Sequence, residues 1–312
     1  MKNQRVLVTG ATGFVGSHLT RRLVHLGAQV HAWAGSEKHL NRIADLQNRL
    51  HLKILDIRNA DQVRQACQEV QPEIIFHLAA YGVNYDEQST EMAVAVNVGG
   101  TVHLLQALRG ISCTRIVATG TWAEYGPKDH PIQESESLEP VGVYGCTKAA
   151  STLTALGLAA QERLPLVLLR PFSVYGPGEG DHKFIPTIIQ SCLDQETPRL
   201  SSCRQIRDYI FVEDVVEAYL KAAVAELTTP VVINIGSGTP VPLKEIVSMI
   251  LKHFQGLTAA FGAIPDRPSE IWQVEADISN AKKQLGWQPS VPLEQGIRLT
   301  VNWFRSQRNG ND

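Results

Sequence analysis

An α/β fold with a doubly wound parallel sheet is predicted for this chain by three observations. A short, β-branched run, Arg5–Thr9, stops at Gly10, Gly13 and Gly16 and passes into a pattern carrying Leu19, Leu23 and Leu26 on one helical face. Apolar strand-like runs then alternate with helical patterns as far as Pro171, the alternation that builds parallel sheets. Beyond Pro171 the texture changes to a glycine-rich loop followed mainly by helical patterns, which predicts a smaller C-terminal domain.

The glycines come first in the chain and carry the most physical content. In a strand–turn–helix setting, Gly10 permits the tight turn, Gly13 lets the backbone approach a pyrophosphate, and Gly16 lets the helix pack closely on the strand. The helix N-terminus offers N–H groups and positive dipole to phosphate. The sheet is therefore expected to be Rossmann-type, with a dinucleotide as ligand. The second strand, from Gln29, leaves at Ala34-Gly35-Ser36. An NAD site places an acidic residue about 20 residues beyond the glycines, on the ribose 2′-OH; no carboxylate stands here. Ser36 with Lys38 or Arg42 suits a 2′-phosphate, which favours NADP(H) and keeps NAD(H) open. Lys38 and Arg42 read equally well as a solvated helix face.

Residues 52–55 end at Asp56-Ile57 and residues 74–78 at Ala79-Ala80. Residues 115–118 end at Thr119-Gly120-Thr121, and residues 166–169 at Arg170-Pro171-Phe172. Helical patterns separate them, clearest at 61–70 and 92–108. Ligands gather at the C-terminal ends of such strands. After the loop at 175–182, helices are expected at Phe184–Leu193 and 215–224, a strand at Val231–Ile235, and helical tail segments at 241–254, 276–285 and 293–304. Residues 1–175 plus 206–236 are read as the dinucleotide-binding domain. Residues 176–205 plus 237–312 are read as an interleaved nucleotide-sugar-binding domain.

Composition narrows the function. Lys and Arg number 29 against 31 Asp and Glu, mixed along the chain for a net charge of −2. Without a basic stripe, zinc knuckle or polybasic tail, nucleic acid and membrane surfaces are excluded as expected partners. No run approaches the roughly 18 apolar residues of a membrane span, and the apolar start is too short for a signal peptide. The five cysteines (67, 113, 146, 192, 203) form an odd set without a CxxC pair. Reduced thiols in a cytoplasmic protein are the expectation, with no metal site.

Tyr144 and Lys148 stand four residues apart, on one face of a helix. A free tyrosine titrates near ~10; a neighbouring ammonium lowers that value and makes the phenol a usable acid or base. Tyr-x-x-x-Lys is common on exposed helices, and the glycine loop upstream gives this instance its weight. His18 and His103 read as packed residues, and His77 as a support for the cofactor loop. Cys146 reads as a small packed side chain; Trp122 reads as pocket wall or core alike.

These residues resemble the extended short-chain dehydrogenase/reductase family of nucleotide-sugar epimerases, dehydratases and reductases. The likeness covers essentially the whole chain. It rests on TGATGFVGSHL (9–19), Asp56-Ile57, HLAA (77–80), NVGGT (97–101), Thr121…Tyr144xxxLys148, RDYIFVEDVVEAYL (207–220) and LGWQPSVPLEQGI (285–297). The resemblance implies a cofactor site of Gly10, Thr12, Gly13, Phe14, Val15, Gly16, Ser36, Asp56, Ile57, Leu78, Ala79, Ala80, Asn97, Pro171 and Val174, with Tyr144 and Lys148. It implies Thr121, Tyr144 and Lys148 as the catalytic set and a homodimer paired through helices near 92–108 and 144–160. Thr121-Trp122-Ala123 lacks the acid pair that the family's 4,6-dehydratases carry, so dehydration is not expected. The stretches at 174–189, 205–216 and 261–271 look most like the 4-ketoreductases of deoxysugar pathways, such as CDP-abequose synthase. In that reading Ser173, Lys183, Gln205, Arg207, Arg267 and Glu270 meet a CDP- or dTDP-linked 4-keto-6-deoxyhexose, which NADPH reduces at C4. Arginine forks suit a diphosphate, and either arginine reads also as an ion-pair partner. An NDP-hexose 4-epimerase with tightly bound NAD is the alternative, and a non-catalytic dinucleotide sensor is the alternative from another class.

Overall fold

The computed structural model describes residues 1–83, 87–268 and 270–309. Ser269 of the 261–271 stretch and the end of the 237–312 span lie outside the described residues. The first strand, β1 (Arg5–Thr9), has Val6, Leu7 and Val8 fully buried, as a strand covered on both faces requires. It leads into α1 (Phe14–His25), then β2 (Gln29–Ala34), a 3₁₀ segment (Leu40–Arg49), β3 (His51–Ile54), α2 (Ala60–Val70) and β4 (Ile74–His77). Helix α2 starts where the Asn59 side chain accepts from the Gln62 N–H, a side-chain N-cap. In α1, Leu19 and Leu23 are fully buried, whereas Leu26 ends the helix and is exposed.

The pattern at 92–108 is not one regular helix. It is α3 (Thr90–Ala93), a π-helical turn (Val94–Gly100) and α4 (Thr101–Ala107). A Cβ on Gly100 would lie 2.7 Å from Ile57 Cγ2, so only glycine lets this turn press against the residues after β3. Next come β5 (Arg115–Thr119), a 3₁₀ turn (Trp122–Glu124), α5 (Gly142–Glu162) and β6 (Leu166–Pro171). They are followed by β7 (Ser173–Tyr175), α6 (Phe184–Leu193), β8 (Ile206–Arg207), β9 (Tyr209–Phe211), α7 (Val212–Val224) and β10 (Val231–Ile235). The chain closes with β11 (Val241–Pro242), α8 (Leu243–Leu251), α9 (Ser279–Leu285) and α10 (Leu293–Asn309).

Seven parallel strands order as β10-β6-β5-β4-β1-β2-β3, a Rossmann-type sheet whose direction of winding reverses between β1 and β4. One face packs on α1 and α7, the other on α2, α4 and α5. A separate apolar cluster joins α6, α8 and α10 around Ile188, Ile246, Val301 and Phe304, forming the C-terminal layer. Two short ladders, β7 with β9 and β8 with β11, were not legible as strands. Pro242, expected inside a helix, instead ends β11 and precedes α8, a position that needs no N–H from it.

The C-terminal segments are held by two buried aspartates of the RDYIFVED stretch. Asp208 accepts from the N–H groups of Ser237, Gly238 and Ala276 and from the Ser237 hydroxyl. Asp214 accepts from the Ser290 and Val291 N–H groups and the Ser290 hydroxyl, and its carbonyl accepts from the Trp287 indole. Both residues look like polar surface in the sequence. In the fold they fix where the tail lies.

Candidate active site

The reversal point between β1 and β4 opens a cleft of about 1750 Å³, larger than the few hundred Å³ that hold an ordinary small ligand. At its floor the chain turns at Gly10, where φ is +68° and a Cβ would lie 2.8 Å from the Ala79 nitrogen. A Cβ on Gly16 would lie 2.1 Å from the Gly10 carbonyl oxygen, so the close helix–strand approach depends on glycine there. Gly13 differs: a Cβ would meet only the Gly10 oxygen, at 3.1 Å, with open cleft beyond. Gly13 is also the N-cap of α1, and no side chain caps that end. Its first-turn N–H groups thus face the cleft ready for an anion. The residues present fit a dinucleotide pyrophosphate.

Thr12, Phe14, Val15, Ser36, Asp56, Ile57, Leu78, Ala79, Ala80, Pro171 and Val174 line the same cleft. Asn97 does not. It is buried, takes the Tyr81 N–H on its side-chain oxygen, and donates to the Tyr81 carbonyl and the Thr147 hydroxyl. That amide ties the chain leaving β4 to α5. A buried relay lies beside it: the Ala79 N–H donates to the Thr9 hydroxyl, which meets His77 Nδ1 at 2.7 Å, while His77 Nε2 meets the Thr101 hydroxyl at 3.0 Å. Burial, with the Lys148 charge adding to it, pushes His77 down to about 3. Unfolded, the imidazole takes up a proton below about 6.5; folded, it stays neutral until about 3, so its contribution to stability is lost as pH falls through that window. Between pH 7 and pH 5 the fold is expected to lose about 2 kcal/mol on this account. Denaturant unfolding should show that loss shrinking in a His77→Gln variant.

The catalytic candidates converge. Thr121 follows β5, and Tyr144 and Lys148 stand one turn apart on α5; all three line the cleft. The Thr121 side chain sits near enough to the Tyr144 phenol to favour its ionised form. Lys148 donates to the Thr119 carbonyl at 2.6 Å. One expectation is corrected here: the Tyr144 phenol is not lowered but pushed up to about 12. Burial is the main cause, Thr121 pulls the other way, and the Glu124 and Glu87 carboxylates add to the rise. The ammonium of Lys148 is turned to the Thr119 carbonyl, and burial lowers its own pKa.

Below Thr121 lies a network the sequence reading passed over. Glu124, fully buried, accepts the Thr121 N–H at 2.9 Å and the Arg170 guanidinium at 2.8 Å. Arg170 also donates to the Tyr125 hydroxyl, whose proton goes to Asn234. The signal was present: Thr121-Trp122-Ala123-Glu124 is the S/T-x-x-E pattern of a capping box, and the box is formed. Trp122 both lines the cleft and packs on the cluster around Tyr125. Cys146 is exposed rather than packed, its thiol turned to the Pro140 carbonyl.

Two residues join the cleft's walls. Arg42 donates to the Thr12 carbonyl at 3.2 Å and the Gly178 carbonyl at 3.0 Å. His18 Nε2 donates to the Pro177 carbonyl at 2.8 Å, with Nδ1 2.7 Å from Glu213. The loop after β7 is thereby pinned beside the glycine turn. His103 Nδ1 reaches the Ile57 carbonyl.

Of the residues expected at the sugar, Ser173 and Lys183 line the cleft, and Lys183 donates to the Val83 carbonyl at 2.6 Å. Gln205, Arg207 and Glu270 lie together outside that lining. Arg207 pairs with Glu270 at 2.6 Å, and Gln205 donates to Asp266 while its carbonyl oxygen lacks a partner among the described residues. Arg267 is exposed. Tyr209, whose phenol feels the charges of both Arg207 and Glu179, lines the cleft between the two groups.

The chain is 30% identical to the UDP-glucose 4-epimerase of Mycolicibacterium smegmatis, covering 97% of this chain and 99% of that one. Among solved structures, MoeE5, determined in complex with UDP-glucose and NAD, is 30% identical with a TM-score of 0.86, covering 97% of this chain and 99% of that one. It has also been determined with UDP-glucuronic acid and NAD. The Thermus thermophilus UDP-glucose 4-epimerase, solved as a complex with NAD, is 26% identical with a TM-score of 0.86, covering 96% of this chain and 99% of that one. The NAD in these structures overturns the expectation of NADP(H). The geometry agrees: Arg42 is committed to two carbonyls, and the Ser36 hydroxyl accepts from the Lys38 N–H. The family model described as "NAD dependent epimerase/dehydratase family" matches residues 6–236. A glycine turn at the sheet's reversal point, a Thr121–Tyr144–Lys148 group above it and full-length relatives on the same fold leave one conclusion: the chain belongs to the NAD dependent epimerase/dehydratase family.

Proposed function

We propose that the protein is a nucleotide-sugar 4-epimerase that works with resident NAD on UDP-linked hexoses. The observation that carries the proposal is the convergence of Thr121, Tyr144 and Lys148 in the cleft that holds the glycine turn. Full-length similarity to 4-epimerases supports this reading over C4 ketoreduction. NAD, when bound, supplies acceptance of the sugar's C4 hydride and its return. Gly10, Thr12, Gly13, Phe14, Val15 and Gly16 would hold its pyrophosphate, and Asp56 and Ile57 would border its adenosine.

In the first half-reaction Tyr144, as phenolate, takes the O4 proton, and C4 becomes a ketone. Thr121 hydrogen-bonds that oxygen in both half-reactions and keeps it beside the phenol. The keto sugar then presents its other face, and Tyr144 returns the same proton to O4 as the alcohol of inverted configuration forms. Lys148, one turn on in α5, is a cation of the same cleft, its ammonium held by the Thr119 carbonyl. Ser173 and Lys183 would meet the sugar. Gln205, Arg207, Arg267 and Glu270 would serve the nucleotide end, beyond Tyr209. The domain division at 1–175 plus 206–236, pairing of two chains through the helices near 92–108 and 144–160, and a cytoplasmic location belong to the same proposal. Exposed Val94, Val143 and Leu153 on those helices support the pairing.

The test uses protein as purified. Given UDP-glucose and no added cofactor, it should form UDP-galactose, and denatured protein should release about one NAD per chain. Turnover confined to a 4-keto sugar with added NADPH would overturn the proposal.

A further inference from the structure

Beside the Thr121–Tyr144–Lys148 group, one carboxyl in the cleft has no assigned work. Glu179 lies in the loop between β7 and α6, lines the cleft, and has its Oε2 buried without a hydrogen-bond partner among the described residues. A polar atom left this way in a folded chain is unfavourable and calls for an explanation. Its surroundings indicate what would complete it. Lys183, a turn later, faces Glu179 from the start of α6 while donating to Val83; Tyr209 faces it from β9. Glu87, after β4, bears on both Lys183 and Tyr144. Asp181 and His182 of the same loop also line the cleft. Glu179 thus belongs, with Lys183 and Tyr209, to a group of ionisable side chains on the wall of the same cleft.

Burial outweighs Lys183 and pushes the Glu179 carboxyl up to about 8. Near neutral pH it both donates and accepts, as a sugar hydroxyl requires. The arginines lining the cleft are engaged elsewhere among the described residues: Arg21 with Asp45, Arg42 with two carbonyls, Arg58 with Asp56. A carboxylate on the sugar would find acids, no free guanidinium among the described residues, and one ammonium, Lys183, already donating to the Val83 carbonyl and facing Glu179.

We propose that Glu179 is a specificity-determining residue that holds a ring hydroxyl of an uncharged hexose and disfavours a uronate. The proposal rests on the nucleotide-sugar reading of the cleft. Calorimetric titration of the purified holoenzyme with UDP-glucose and UDP-glucuronate, at pH 6.5 and pH 9, tests it. Wild type should prefer UDP-glucose by about tenfold at the lower pH, and by several times more at the higher pH as Glu179 loses its proton. Glu179→Gln, which keeps a donor and an acceptor, should hold UDP-glucose within about threefold and lose the pH dependence of the ratio; Glu179→Leu should bind UDP-glucose about tenfold more weakly. Thermal melts confirm that each variant is folded. An unchanged ratio in Glu179→Gln at both pH values overturns the proposal. If that protein still interconverts UDP-glucose and UDP-galactose, the epimerase reading survives alone. A pH-dependent ratio without interconversion supports Glu179 and removes the epimerase reading, and failure to bind either sugar overturns both.

Discussion

Tyr144→Phe is expected to lower kcat by about a thousandfold while leaving nucleotide-sugar affinity within about threefold, the range typical of a lost general acid–base group. The substitution deletes one hydroxyl. The ring keeps its place against Gly82, where a Cβ would already approach Tyr144 Cδ2 to 3.4 Å. What disappears is the hydroxyl proposed to carry the O4 proton, which faces Thr121 across the cleft. Because burial holds the phenol near 12, its ionised form is the scarce one at neutral pH. The wild-type epimerisation rate should therefore climb with pH, and the residual rate of the variant should not. Steady-state kinetics together with equilibrium titration separate the two effects. A variant that kept a tenth of wild-type kcat, or lost affinity instead of rate, would remove Tyr144 from the proton path.

Arg170→Met is expected to destabilise the fold by about 3–5 kcal/mol, the usual consequence of leaving a buried charge unpaired. Glu124 is fully buried, and Arg170 is its counter-charge at 2.8 Å. Arg170 also lies 4.5 Å over the Tyr125 ring. Losing it leaves a carboxylate in the apolar layer and frees the Tyr125–Asn234 bond from its third member. In a chain of this size the melting temperature should fall by roughly 5–10 °C. Adding Glu124→Gln should recover much of that, since a neutral amide still accepts the Thr121 N–H. Calorimetric melts of the single and double variants measure both quantities. Equal melting temperatures for wild type and Arg170→Met would show that the pair contributes nothing.

The parts of this molecule legible in the sequence are those set by local sterics or short periodicity. Gly10 and Gly16 announce themselves because no other residue fits a positive φ or a 2.1 Å approach. Tyr144 and Lys148 share a face because a helix puts residues four apart together. What was illegible depends on long reach. Arg42 looked like a phosphate ligand until its donors were seen on carbonyls at Thr12 and Gly178. Arg207, a candidate for a diphosphate, meets Glu270, 63 positions away. The sign of the Tyr144 shift was misjudged because spacing gives the neighbour but not the burial, nor the two carboxylates nearby. Glu179 carried no signal beyond being an acid in a glycine-rich loop.

Arg42 and His18 pin the loop at Pro177-Gly178 against the glycine turn, so on the proposed function this loop would help to retain a dinucleotide seated there. A 4-epimerase built this way would keep a private electron store. The surrounding supply of pyridine nucleotide would govern how many copies are charged after synthesis and have little influence on how fast each one runs. A copy that lost its keto sugar midway would be stranded in the reduced form, silent until another oxidised sugar arrived.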